Sequence, residues 1–112
     1  MEIQFFTDLW TVLDLVHDRW FDLTEVSFDK DRGEVCIFLG EQRRGSCMDR
    51  RLRITGVLDF EVKDEAKIGR YDLADIEIDS PSSTLRIKSG FPLVISMKMA
   101  GKCSLSVLRQ PN

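Results

Sequence analysis

The sequence predicts a small α+β domain of mainly antiparallel β-structure, with an N-terminal helix packed on a curved sheet or sandwich of about seven short strands. Three observations predict it. Apolar residues recur every three or four positions only near the N-terminus. From Asp22 onward they recur every second position. Turn signals rich in Gly, Ser, Asp and Pro separate the alternating runs, and no strand–helix–strand order suggests a parallel sheet.

Phe6, Leu9, Trp10, Leu13 and Val16 share one face at helical spacing, which predicts a helix over residues 5–20. Thr7 can cap its start, although Trp10 stands where a capping-box Glu would be. Trp10 and Leu13 are expected to pack against the sheet. Thr24, Val26 and Phe28 then alternate with Glu25, Ser27 and Asp29, and the turn 29–33 joins this run to an apolar strand over 35–39. That pair reads as a β-hairpin, with the second strand the more central.

Residues 40–50 read as a polar loop. In the strand that follows, Leu52, Ile54, Leu58, Phe60 and Val62 all occupy even positions, with charged residues at most odd ones. Gly56 falls on the apolar face and marks a bend or a close approach of another element. An inserted residue would break the parity, so a bend is expected rather than a bulge. Residues 64–69 predict one helical turn closed by Gly69. Strands follow over 73–79 and 84–88, joined by the turn at Ser80-Pro81-Ser82-Ser83. Residues 89–92 break the second of these. Leu93, Ile95, Met97 and Met99 form the next strand, Ala100-Gly101-Lys102 is expected to turn the chain, and 103–108 closes it.

The 112 residues fit a single domain over 1–112, long enough to bury its own core. With 43% hydrophobic and 31% charged residues the composition is that of a folded globular chain. A net charge of −3 lacks the field of a nucleic-acid binder, and no nucleic acid is expected as a partner. No apolar run approaches the ~20 residues needed to cross a bilayer, so no membrane association is expected. No signal-peptide pattern opens the chain. Cys36, Cys47 and Cys103 are odd in number and form no CxxC pair. They read as small hydrophobes of a reducing cytoplasm.

Candidate chemistry is sparse, and no cofactor is expected. His17-Asp18 has the form of a metal-phosphohydrolase pair, but His17 is the sole histidine and cannot complete such a site. The pair can otherwise serve as an acid–base couple in a cleft between helix and sheet, or as a structural contact at a helix end. Cys36, Cys47, Cys103 and His17 could fill a zinc site in number only, because their spacing lacks paired ligands. Cys47, among arginines, is the thiol expected to be most exposed.

Arg43, Arg44, Arg50, Arg51 and Arg53 form the one basic cluster; against Glu41 and Asp49 the stretch 41–53 is net +3. It can receive an acidic partner or a phosphate; as plain surface it would be neutralised by Asp59 and Glu61. Asp75, Glu77 and Asp79 open like a calcium loop. Ser80 and Arg86 then stand where that loop needs Gly and Glu, so the row reads as a solvent face. The Leu93–Met99 row suggests, as an alternative, a sandwich enclosing a small apolar ligand, and otherwise core.

A helix ending in His17-Asp18, a hairpin opening Leu23-Thr24-Glu25-Val26-Ser27-Phe28-Asp29, and the strand Leu52-Arg53-Ile54-Thr55-Gly56-Val57 together resemble a group of small bacterial domains, some classed as immunity-like proteins of polymorphic toxin systems. The resemblance spans about residues 9–107. Gly56 departs from it where phenylalanine often precedes the valine. It implies a bacterial cytoplasmic domain without catalysis that binds another protein. For such a binding domain the charged stretches 41–53 and 75–79 are the expected contact surfaces. Oligomeric state does not follow from it.

Overall fold

Period-two alternation carries most of the chain from residue 20 onward into strands, and tertiary pairing decides where each begins and ends. The computed structural model describes residues 2–4, 12–13, 16–40 and 48–109. Its strands are β1 (Glu2–Gln4), β2 (Trp20–Asp22), β3 (Ser27–Asp29), β4 (Glu34–Gly40), β5 (Met48–Asp64), β6 (Arg70–Asp72), β7 (Asp75–Asp79), β8 (Thr84–Lys88) and β9 (Leu93–Arg109). All pairings are antiparallel, in the order β6-β2-β4-β5-β9-β8-β7, with β1 added to β9 and β3 to β4.

β6 and β7 stand at opposite ends of this order, yet only Leu73 and Ala74 separate them. The Leu73 N–H donates to the Arg19 carbonyl at 2.8 Å and the Ala74 N–H to the Lys88 carbonyl at 2.8 Å. One short connection thus bonds to both flanks of the sheet, which curls into a half-barrel. The core fills the concave side: Val35, Ile37 and Leu39 of β4, Leu52 and Ile54 of β5, Leu85 and Ile87 of β8, and Ile95 and Met97 of β9 are fully buried. Phe21, Tyr71, Val12 and Val16 join them. Leu93, Ile95, Met97 and Met99 are all buried in this core.

The helix predicted over 5–20 is not borne out. Residues 5–11 and 14–15, Trp10 among them, lie outside the described residues. Val12, Leu13 and Val16 are helical, and the His17 N–H donates to the Leu13 carbonyl at 2.7 Å. Asp18 then turns to φ 64°, a left-handed conformation that ends a helix, and Trp20 already pairs with Asp72. Leu23–Glu25 is a 3₁₀ turn capped by Asp22, which accepts the Thr24 N–H at 3.0 Å, so β3 is shorter than the alternation predicts. The stretch 65–69 is irregular rather than helical: Lys67 and Gly69 both have positive φ, and the Asp64 carboxylate accepts the Lys67 N–H. The predicted loop over 40–50 is shortened by β5, which begins at Met48; residues 41–47 lie outside the described residues.

The largest departure is in β5 and β9. Ala100-Gly101-Lys102 does not reverse the chain; β9 runs through it, and both its halves pair with β5. Thr55 pairs with Ser104, Val57 with Met99, Asp59 with Lys98 and Phe60 with Met97. β9 therefore has an unpaired swelling across Ala100–Cys103 opposite Gly56, and β5 carries an inserted residue, Leu58. The inward set becomes Leu52, Ile54, Val57, Phe60 and Val62, and Leu58 is 59% exposed. The bend expected at Gly56 is a bulge, with the close approach that the missing side chain implied. Gly56 has φ 80°, and a Cβ there would lie 2.3 Å from the Lys102 carbonyl oxygen.

Candidate functional site

β5 carries three of the five arginines of the predicted basic cluster. Its residues Arg51 and Arg53 alternate with buried Leu52 and Ile54, so their side chains leave from the convex face. Arg50 pairs with buried Leu39 and falls on the opposite parity. The predicted cluster thus divides between faces, and Arg43, Arg44 and Cys47 lie outside the described residues.

Arg53 pairs with Glu34 of β4. Its Nε donates to Glu34 Oε1 at 2.9 Å and its Nη2 to Oε2 at 3.4 Å. This two-pronged bond holds the Glu34 carboxyl below the usual carboxylate range, against the opposing effect of burial. The Cys36 thiol, on the rung of Arg53, donates to Glu34 Oε1 at 3.4 Å. Burial, then the Glu34 contact, pushes the Cys36 thiol up, and burial alone raises Cys103. Both stay protonated and are poor nucleophiles. On the next rung Thr55 and Ser104 share a hydroxyl–hydroxyl bond of 2.5 Å.

Ser106 is on the same face, directly across from Arg53. Its neighbours Leu105 and Val107 point into the core, and Ser106 itself is 1% exposed. Its Oγ and the Nε of Arg51 are both buried without a hydrogen-bond partner.

His17 and Asp18 are apart from this face. His17 Nδ1 is 3.3 Å from Asp18 Oδ2, with the imidazole half-exposed and the carboxylate largely exposed. The Asp18 N–H donates to the Leu73 carbonyl at 2.9 Å, which fixes the turn. The imidazole is not sealed in the core. A solvated pair of this kind contributes little energy.

A surface pocket of about 150 Å³ opens on the convex side beyond the bulge, lined by Asp59, Phe60, Glu61, Thr84, Ser96, Met97 and Lys98. Asp59 accepts the N–H of its own neighbour Phe60 at 2.9 Å, and Lys98 Nζ donates to the Ser82 carbonyl at 2.7 Å. Leu58 is at the edge of this strand segment. On the edge strand β7, Glu77 pairs with Lys88 at 2.6 Å, and Asp75 accepts the Ile76 N–H at 2.8 Å. Among the described residues no group of His, Cys, Asp or Glu is placed to hold a metal ion.

Glu34, Leu58 and Ser106 escaped the sequence reading. Glu34 and Ser106 needed the register of β5 against both neighbours. Leu58 had one signal, the glycine two residues before it.

No protein-family model, curated protein or solved structure matches the chain. Among the described residues no helix is long and apolar enough to cross a membrane.

Proposed function

We propose that this chain is a cytoplasmic, non-catalytic module that binds another protein, the role implied by its resemblance to immunity-like domains, and that it docks through the bulged part of β5. The observation that carries the reading is the exposure of Leu58. A single exposed leucine is ordinary on any protein. This one sits in an alternating run that would bury it, and an inserted residue in the ladder turns it out. Bulges re-aim side chains in this way at sites of contact. Asp59, Glu61 and Lys98 in the adjoining pocket supply polar groups around an apolar anchor, the arrangement of an interface centre and its rim.

The test compares immobilised wild-type protein with a Leu58→Asp variant in extract of the native host. Leu58 is outside the core, so the variant is expected to keep the wild-type circular dichroism. Wild type should retain one defined protein partner that Leu58→Asp loses. Recovery of no protein above background, or equal recovery by both, overturns the reading.

A further inference from the structure

We propose, building on the docking role given to Leu58, that the partner adds a strand to the outer edge of β5 from Leu58 to Lys63, and that the added segment is extended and alternates basic with apolar residues. β4 leaves β5 after Thr55, and the last backbone bond on its side runs from the Val57 N–H to the Gly33 carbonyl at 2.9 Å. Beyond it, among the described residues, β5 pairs only with β9. Backbone groups of an antiparallel ladder alternate between the two sides of a strand. The Glu65 N–H donates to the Pro92 carbonyl at 3.0 Å, continuing the ladder with β9, and the Met99 N–H donates to the Ser83 carbonyl at 2.8 Å, away from β5. Glu61 and Lys63 therefore bond to Ser96 and Val94, while Phe60 and Val62 direct their N–H and C=O groups to the outer edge.

An open sheet edge is a template for a strand of another chain. β1 and β3 offer edges of three residues each. The outer edge of β7 carries no exposed large apolar residue, whereas Leu58 stands at the head of the β5 edge. The side chains define the chemistry of the added strand. Asp59 and Glu61 are exposed, and Phe60 and Val62 are half-buried on the opposite, core-facing side. Directly opposed residues of an antiparallel pair share a face and interact. An added strand thus sets basic residues across from Asp59 and Glu61 and apolar residues across from Phe60 and Val62. Asp59 already reaches along the edge, where its carboxylate accepts the Phe60 N–H at 2.9 Å. A carbonyl of the incoming strand takes over that N–H, and a basic side chain takes the freed carboxylate.

The experiment is an NMR titration and amide hydrogen exchange of the full chain with a short, end-blocked peptide of alternating lysine and valine. In the free chain the Val62 amide should exchange fast, and those of Glu61 and Lys63, bonded to β9, should be protected. The peptide should give saturable shifts centred on residues 58–63 and slow the exchange of Val62. Glutamate in place of the peptide's lysines should weaken binding at least tenfold. Val62→Pro, which removes an outward N–H and leaves the β9 ladder intact, should do the same. If Val62→Pro folds poorly, the two peptides and the wild-type exchange pattern still decide. No saturable shift, shifts centred elsewhere, equal affinity for the two peptides, or a protected Val62 amide in the free chain overturns strand addition. If Leu58→Asp nonetheless loses the partner retained from extract, docking through Leu58 stands and only the added strand is struck.

Discussion

The β7–β8 hairpin and the β5–β9 pair are both antiparallel ladders read from the same alternating pattern, yet only the first obeys it throughout. From Asp75↔Lys88 to Asp79↔Thr84 every rung of β7–β8 advances one residue on each strand. Each apolar residue therefore stays on the face that its position in sequence assigns. β5–β9 breaks its register on both sides of Val57. The facing of its residues changes in between and returns to the original parity at Phe60. Alternation reports facing only while the ladder is unbroken, and two insertions together cancel in the count.

The largest effect expected from this contrast is on core truncation. Ile87 of β8 is fully buried and Leu58 of β5 is 59% exposed, although both occupy apolar positions of an alternating run. Ile87→Ala should cost about 2–5 kcal/mol, for the lost transfer energy and the cavity it leaves. Leu58→Ala should change stability by less than about 0.5 kcal/mol, as at other surface sites. Urea unfolding of the two variants measures both values. Equal costs would mean that Leu58 faces inward and that no residue is inserted there.

A smaller effect separates two glycines of the irregular region. Gly56 has φ 80° and a neighbouring carbonyl oxygen where its Cβ would be, whereas a Cβ at Gly101 meets nothing within 4 Å. Gly56→Ala should cost about 2–3 kcal/mol from left-handed strain and forced displacement of β9. Gly101→Ala should fall within about 0.5 kcal/mol of wild type. The same unfolding measurements decide this; a tolerated Gly56→Ala would mean that β9 can move away without loss.

Legibility in the sequence follows the same division. β8 and the turn before it match the pattern because a short hairpin leaves no room for slippage. The continuity of β9 was hidden because Ala100-Gly101-Lys102 has turn composition, and only pairing of both flanks with one partner shows that the strand goes on. Helical spacing around Leu13 did not foresee Asp18, whose backbone turn is fixed by Leu73, a residue far along the chain. At the site, charge type was readable and partner choice was not. Arg53 meets Glu34, a residue outside the basic stretch that the β4–β5 register brings alongside.

Two ion pairs extend the comparison to its smallest effect. Glu77–Lys88 on β7–β8 is the shorter, at 2.6 Å, with both side chains 40% exposed. Glu34–Arg53 on β4–β5 is 2.9 Å, with side chains 17% and 35% exposed. Burial and two-pronged geometry should outweigh distance. Arg53→Gln is expected to cost about 1 kcal/mol at neutral pH, and a double-mutant cycle on Glu77 and Lys88 to give about 0.3 kcal/mol. The pairs also differ in what removes them. The folded Glu34 carboxyl is held below its unfolded value, so its contribution is complete above the usual glutamate pKa of about 4.3 and is lost as pH falls through the folded value. The stability gap between wild type and Arg53→Gln should therefore close on acidification. The Glu77–Lys88 coupling should vanish in about 1 M salt, where the screening length is about 3 Å, while the Arg53 gap largely survives. A gap that ignored pH, or a larger coupling at Glu77–Lys88 than at Arg53, would show that contact distance rather than burial sets the strength of these pairs.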